Sequence, residues 1–153
     1  MLPLLINGFC VASAEPSTKR AIEILSKLTH KHVTWNQRSA VTADVSCDGS
    51  PEKIVLGHRG NDVVIGVVPT NRSGNAKVQL FNFPATNTIG QDAFCGGEVH
   101  LGSGPLMCRS EDGPLDGCRP KRHCKSFDAY DGECDAFHFY WDSKRKRLTY
   151  WRL

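Results

Sequence analysis

The chain has 153 residues, a net charge of +3 and a hydrophobic fraction of 40%. That length suits one domain with a real core, and so slight a basic excess gives no ground for nucleic-acid binding. Beyond the N-terminal stretch no segment is apolar and long enough to span a membrane as a helix.

The chain opens with Leu2-Pro3-Leu4-Leu5-Ile6-Asn7-Gly8-Phe9-Cys10-Val11-Ala12-Ser13-Ala14. This reads as the apolar part of a secretory leader, with Ala12 and Ala14 at the small positions before a cleavage site. Residues 1–14 are thus expected to be a signal peptide, and 15–153 a single exported domain, periplasmic or extracellular.

Ser17 is placed to cap a helix over residues 18–32. Ala21, Ile24, Leu25, Leu28 and His32 recur along one stripe, with Lys19, Arg20, Glu23 and Lys27 on other faces. Residues 33–43 read as extended. Two runs rich in Val and Ile, 53–57 and 62–68, flank a Gly-punctuated turn and predict paired strands. A third strand is expected over 76–83, where Val78, Leu80 and Asn82 alternate with Lys77, Gln79, Phe81 and Phe83. Residues 85–117 are rich in Gly, Ser and Pro and read as irregular, with one short strand at 98–101. The last stretch predicts a β-hairpin, 136–141 and 147–152, around a basic tip.

Setting aside Cys10 leaves Cys47, Cys95, Cys108, Cys118, Cys124 and Cys134. An even set in an exported chain predicts full pairing as disulfides, with the connectivity open. No two of them have the close spacing of a zinc site.

The most informative local pattern is the acidic loop. Asp44, Ser46 and Asp48 alternate, Gly49 follows directly, and Glu52 precedes an apolar run. Oxygen-bearing side chains at every second position let a tight loop aim several oxygens at one hard cation. The alternative is an Asx-turn whose carboxylates accept backbone N–H groups. The stretch resembles the calcium-type loops of FG-GAP and VCBS repeats. That resemblance implies one calcium ion held by Asp44, Ser46, Asp48, Glu52 and the Ser50 carbonyl. More broadly, the loop with Val64-Ile65-Gly66-Val67-Val68, Gln91-Asp92-Ala93-Phe94-Cys95, Asp131-Gly132-Glu133-Cys134-Asp135 and the aromatic C-terminus resembles small exported bacterial proteins. That likeness implies a recurring architecture and supplies no activity.

No G-x-S-x-G elbow, H-E-x-x-H or P-loop occurs. Lys144, Arg145, Lys146 and Arg147 at the hairpin tip, with Tyr140 and Trp151 nearby, are candidates for partner binding. The expected fold is α+β: an N-terminal helix on a small, mainly antiparallel sheet. A disulfide-tied irregular C-terminal half should follow, ending in the hairpin. The expected function is that of an exported binding module, an inhibitor or immunity-type protein being one form. Its partner would be another envelope or secreted protein, or an anionic envelope polymer. An envelope enzyme using His and carboxylate residues, or a structural domain with a calcium-stiffened loop, are the alternatives.

Overall fold

The structure, a computed structural model, describes residues 17–71, 77–85 and 93–153. The expected leader with Cys10, and the first residue of the expected third strand, lie outside them. Ser17 accepts the Arg20 N–H and opens helix α1 (Thr18–Leu28), which buries Ala21 and Leu25. The helix ends one turn before the expected boundary. Thr29 Oγ1 donates back to the Leu25 carbonyl, and His30 and Lys31 adopt left-handed φ values of 49° and 62°. Leu28, expected on the apolar stripe, is 52% exposed.

Next come β1 (Thr34–Trp35), a 3-10 turn (Gln37–Ser39) and β2 (Val41–Ala43). β1 and β2 pair with opposite ends of β3 (Glu52–Arg59), so one interrupted edge runs beside a long strand. β3 pairs antiparallel with β4 (Asp62–Pro69), and β4 with β5 (Gln79–Phe83). The pleat sorts side chains by parity. Ile54, Leu56, Val63, Ile65 and Val67 face one side, while Val55 and Val68 meet Ala21 and Leu25 of α1 on the other. Both faces of this sheet are covered, which explains the unbroken apolar run of β4. Gly66 marks the closest approach of the helix. A Cβ there would stand 2.5 Å from Leu25 Cδ2 and 3.0 Å from the Trp35 ring.

The C-terminal half is not irregular, as expected from its Gly and Pro content, but strand-forming. It contains β6 (His100–Pro105), the short pair β7 (Arg109–Ser110) and β8 (Gly113–Pro114), then β9 (Lys125–Tyr130), β10 (Phe137–Asp142) and β11 (Arg147–Trp151). Four of them form a second antiparallel sheet in the order β11-β10-β9-β6. Its inner face brings Phe127, Phe137 and Phe139 against Phe81 and Phe83. Phe81 meets Phe139 edge-on at 5.0 Å, and Phe83 lies 4.6 Å from Phe137. The molecule therefore has three layers: helix, first sheet, second sheet. The two sheets are also tied by hydrogen bonds, from the Lys125 N–H to the Asp44 carbonyl (2.8 Å) and from the Leu148 N–H to Gln79 Oε1 (3.0 Å).

All six expected cysteines pair, as Cys47–Cys124, Cys95–Cys134 and Cys108–Cys118. Asp131 sits beside the second bridge and accepts the N–H groups of Cys95, Glu133 and Cys134. Three disulfides place the chain in an oxidising, exported compartment. Among the described residues, no helix is long and apolar enough to cross a membrane.

Candidate functional site

The outer face of the second sheet gathers functional side chains by register alone. Trp151 of β11 stands opposite His138 of β10, His138 opposite Asp128 of β9, and Asp128 opposite Gly102 of β6. Directly opposed residues share a face, so these four form one rung across all four strands. The contacts follow. His138 Nδ1 lies 2.8 Å from Asp128 Oδ1, and the indole of Trp151 stacks on the imidazole at 4.3 Å. At the far end of the rung Gly102 lies beside the Tyr130 ring, which a Cβ there would meet at 3.5 Å, and His100 rests against Tyr130 farther along the same face.

The loop closed by Cys108–Cys118 forms a wall beside this face. Arg109, Ser110 and Glu111 from the β7–β8 hairpin, with Met107 at its base, line a groove of about 560 Å³ together with His138, Tyr140 and Trp151. Met107 is 69% exposed, an apolar side chain left in water at the groove mouth. The wall is held to the sheet by more than its disulfide. Tyr140 OH donates to the Asp116 carbonyl, Ser143 N–H to the Gly117 carbonyl, and Lys144 and Arg145 both reach the Asp116 carboxylate.

Those contacts account for half of the predicted basic patch. Lys144 pairs with Asp116 at 2.5 Å, while Arg145 pairs with Asp116 at 3.2 Å and with the buried Asp142 at 2.5 Å. Asp142 also accepts the N–H groups of Lys144 and Arg145, closing the turn of the hairpin. Burial pushes its carboxyl up, but the Arg145 guanidinium and the two N–H donors outweigh burial and leave it below the ordinary carboxylate range. Contact with Lys144 first, then Arg145, lowers Asp116 likewise. Lys146 and Arg147 are exposed, Lys146 with a left-handed φ of 51°. Tyr140 and Trp151 lie in the groove with His138, apart from the tip.

The acidic loop is an internal hydrogen-bond network. Glu52 shares the inner face of β3 with Ile54 and Leu56 and is only 2% exposed. Its Oε2 accepts the N–H groups of Val45 (2.8 Å) and Ser46 (3.1 Å), and its Oε1 accepts Ser46 Oγ–H (2.7 Å). Asp44 Oδ2 accepts the Gly49 N–H, and Asp48 Oδ1 the Ser50 N–H. Among the described residues Asp44 Oδ1 is buried without a partner, and burial raises the Asp44 carboxyl. Of the oxygens expected around a calcium ion, both of Glu52 are thus turned to donors inside the protein. A shell of the calcium type would require Glu52 to leave them. Among the described residues, no three His, Cys, Asp or Glu side chains group as metal ligands. The residues present match the hydrogen-bonded turn more closely than the metal loop.

Sequence reasoning missed Asp128, His138 and Arg109. The alternation of Ser126, Asp128 and Tyr130 with Phe127 and Ala129 carried the signal for β9, and with it the pairing of Asp128 with His138. No protein-family model matches the chain, and comparison with curated proteins and with solved structures found no match.

Proposed function

We propose that the protein is a binding module of the periplasm or extracellular space, and that it holds its partner in the groove on the outer face of the second sheet. The observation that supports this reading is the anchorage of the wall. The loop that forms it is closed by Cys108–Cys118 and clamped to the sheet through Asp116 and Gly117. A groove fixed before the partner arrives loses little conformational freedom on binding. Catalysis is the weaker reading. Nδ1 of His138 is paired with Asp128, and among the described residues no hydroxyl or thiol is hydrogen-bonded to the imidazole.

The test is site-directed photo-crosslinking of the exported protein in its own compartment. A photoreactive residue at Met107 should give adducts, and Trp151→Ala should diminish them. The same residue at Leu28, exposed on the helix side, should give none. Equal adducts from both positions, or none from Met107, would overturn the groove as the binding surface.

A further inference from the structure

Arg119, Pro120, Lys121, Arg122 and His123 lie between Cys118 and Cys124, and Lys125 follows at once. Each flanking cysteine belongs to a different disulfide, Cys108–Cys118 and Cys47–Cys124. Both ends of this short loop are therefore anchored covalently, and Pro120 stiffens it further. Arg119, Lys121, Arg122, His123 and Lys125 are all exposed. Among the described residues no carboxylate pairs with Arg119, Lys121, Arg122 or Lys125. Among the described residues Lys121 Nζ donates to the Cys47 carbonyl, at 3.1 Å. Asp44 and Asp48, beside the Cys47–Cys124 bridge, turn toward the backbone N–H groups of Gly49 and Ser50 instead. Cations crowded without counter-charge make a local positive potential that an external anion can neutralise.

The surroundings narrow the class of anion. Lys121, Arg122 and Lys125 line a shallow groove of about 340 Å³, and Pro105 belongs both to it and to the groove on the sheet. A linear ligand passing Pro105 meets cations on an anchored backbone at one end, then Trp151 and the Asp128–His138 pair, with the buried Tyr140 beneath them. An acidic polysaccharide offers what this sequence of surfaces recognises. The C–H faces of its rings suit the aromatic side chains, its hydroxyls suit the planar polar groups, and its carboxylates suit Lys and Arg. We propose that the 119–125 loop and the groove beside it bind an anionic polysaccharide, its carboxylates seated on Lys121, Arg122 and Lys125. This rests on the groove being the binding surface.

The test uses four probes on the disulfide-intact protein: an oligouronate hexamer, cellohexaose, polyglutamate and anionic phospholipid vesicles, with intrinsic tryptophan emission and co-sedimentation as readouts. The oligouronate should bind, weaken as salt rises, and weaken about tenfold or more in Lys121→Ser/Arg122→Ser/Lys125→Ser. Because those side chains are exposed, that variant should keep the wild-type melting temperature. The neutral hexamer should bind far more weakly. Equal binding of the oligouronate to wild type and variant would overturn the proposal. So would tighter binding of polyglutamate or of vesicles, or no oligouronate binding while the Met107 adducts persist. Retained oligouronate binding with the Met107 adducts absent would overturn the groove reading itself.

Discussion

Two basic segments of this chain carry similar charge and meet opposite fates. Lys144, Arg145, Lys146 and Arg147 form the tip of the last hairpin, and Arg119, Lys121, Arg122 and Lys125 follow the Cys108–Cys118 loop. At the tip, Asp142 lies beneath the turn and Asp116 reaches across from the disulfide loop, so Lys144 and Arg145 are neutralised within the molecule. In the other segment no carboxylate arrives among the described residues, and cystines rather than counter-charges hold the backbone in place. The difference teaches that a run of cations does not declare its own availability. Carboxylates distant in sequence decide it.

The comparison breaks hardest at the covalent anchor. Cys47→Ala/Cys124→Ala removes a bridge across 77 residues that fixes both the acidic loop and one end of the basic loop. It should lower stability by about 2–5 kcal/mol, read from denaturant unfolding. The hairpin tip, held without cystine, should keep its local structure in the surviving folded fraction. A stability within error of wild type would mean that the hydrogen bonds around Glu52 suffice as the anchor.

The two anchors should also respond to acid with opposite sign. Burial raises Glu52 from an ordinary 4.5 to about 7, against the opposing donors Ser46 and Val45. The folded state therefore holds a proton that the unfolded chain has released. This contribution is fully present below about pH 4.5 and is lost as pH rises through about 7. At about 1.4 kcal/mol per pH unit it amounts to about 3 kcal/mol. Asp142 is lowered, so its contribution is present above its ordinary range and lost as pH falls below it. Melting temperature should decline between pH 4.5 and 7 in wild type, and Glu52→Gln should flatten that decline. A rise across the same window would show that the N–H donors outweigh burial.

Much of the first sheet was legible because both its faces are covered. Continuous Val and Ile in 53–57 and 62–68 signal a strand whichever side is inward, and the cysteine count pointed to full pairing. The second sheet was partly hidden by chemistry that serves it. Gly102, Gly104 and Pro105 read as loop, yet β6 is an edge strand, where proline is tolerated and small residues leave the outer face open. Glu52 reads as a candidate metal ligand because it closes the alternating acidic pattern ahead of an apolar run. Only the fold reveals that it lies beneath the loop, accepting N–H groups from residues six and seven positions earlier. The candidate site depends on register across four strands, which pairs residues such as Gly102 and Trp151 that no local pattern connects.

Asp142→Ala should act on the tip and on the Gly117 turn packed beside it. It removes the acceptor of two backbone N–H groups and of the Arg145 guanidinium. Losing those bonds beneath a turn should lower stability by about 1–3 kcal/mol in denaturant unfolding. Gly117 packs against this same carboxylate with a φ of 71°, and a Cβ there would collide with it. Gly117→Ala should therefore destabilise as well. A stable Asp142→Ala protein would show that solvent replaces the carboxylate without penalty.

The gentlest change should sharpen the comparison most. Asp116 is exposed and pairs with Lys144 and Arg145 at the surface. Surface pairs of this kind contribute little to stability, because solvent screens them and holding long side chains in one geometry costs entropy. Asp116→Asn should therefore leave the melting temperature almost unchanged, since the Tyr140 bond runs to the main-chain carbonyl and survives the substitution. Electrostatics should change far more than stability. With its surface counter-charge gone, Lys144 becomes a free cation, and Arg145 keeps only Asp142. The tip would then resemble the 119–125 loop and acquire affinity of its own for the oligouronate. In the Lys121→Ser/Arg122→Ser/Lys125→Ser background, adding Asp116→Asn should restore part of the lost, salt-sensitive binding. If it restores none, a bare cluster of cations is not enough, and the position of the 119–125 loop beside the aromatic groove is what makes it a site.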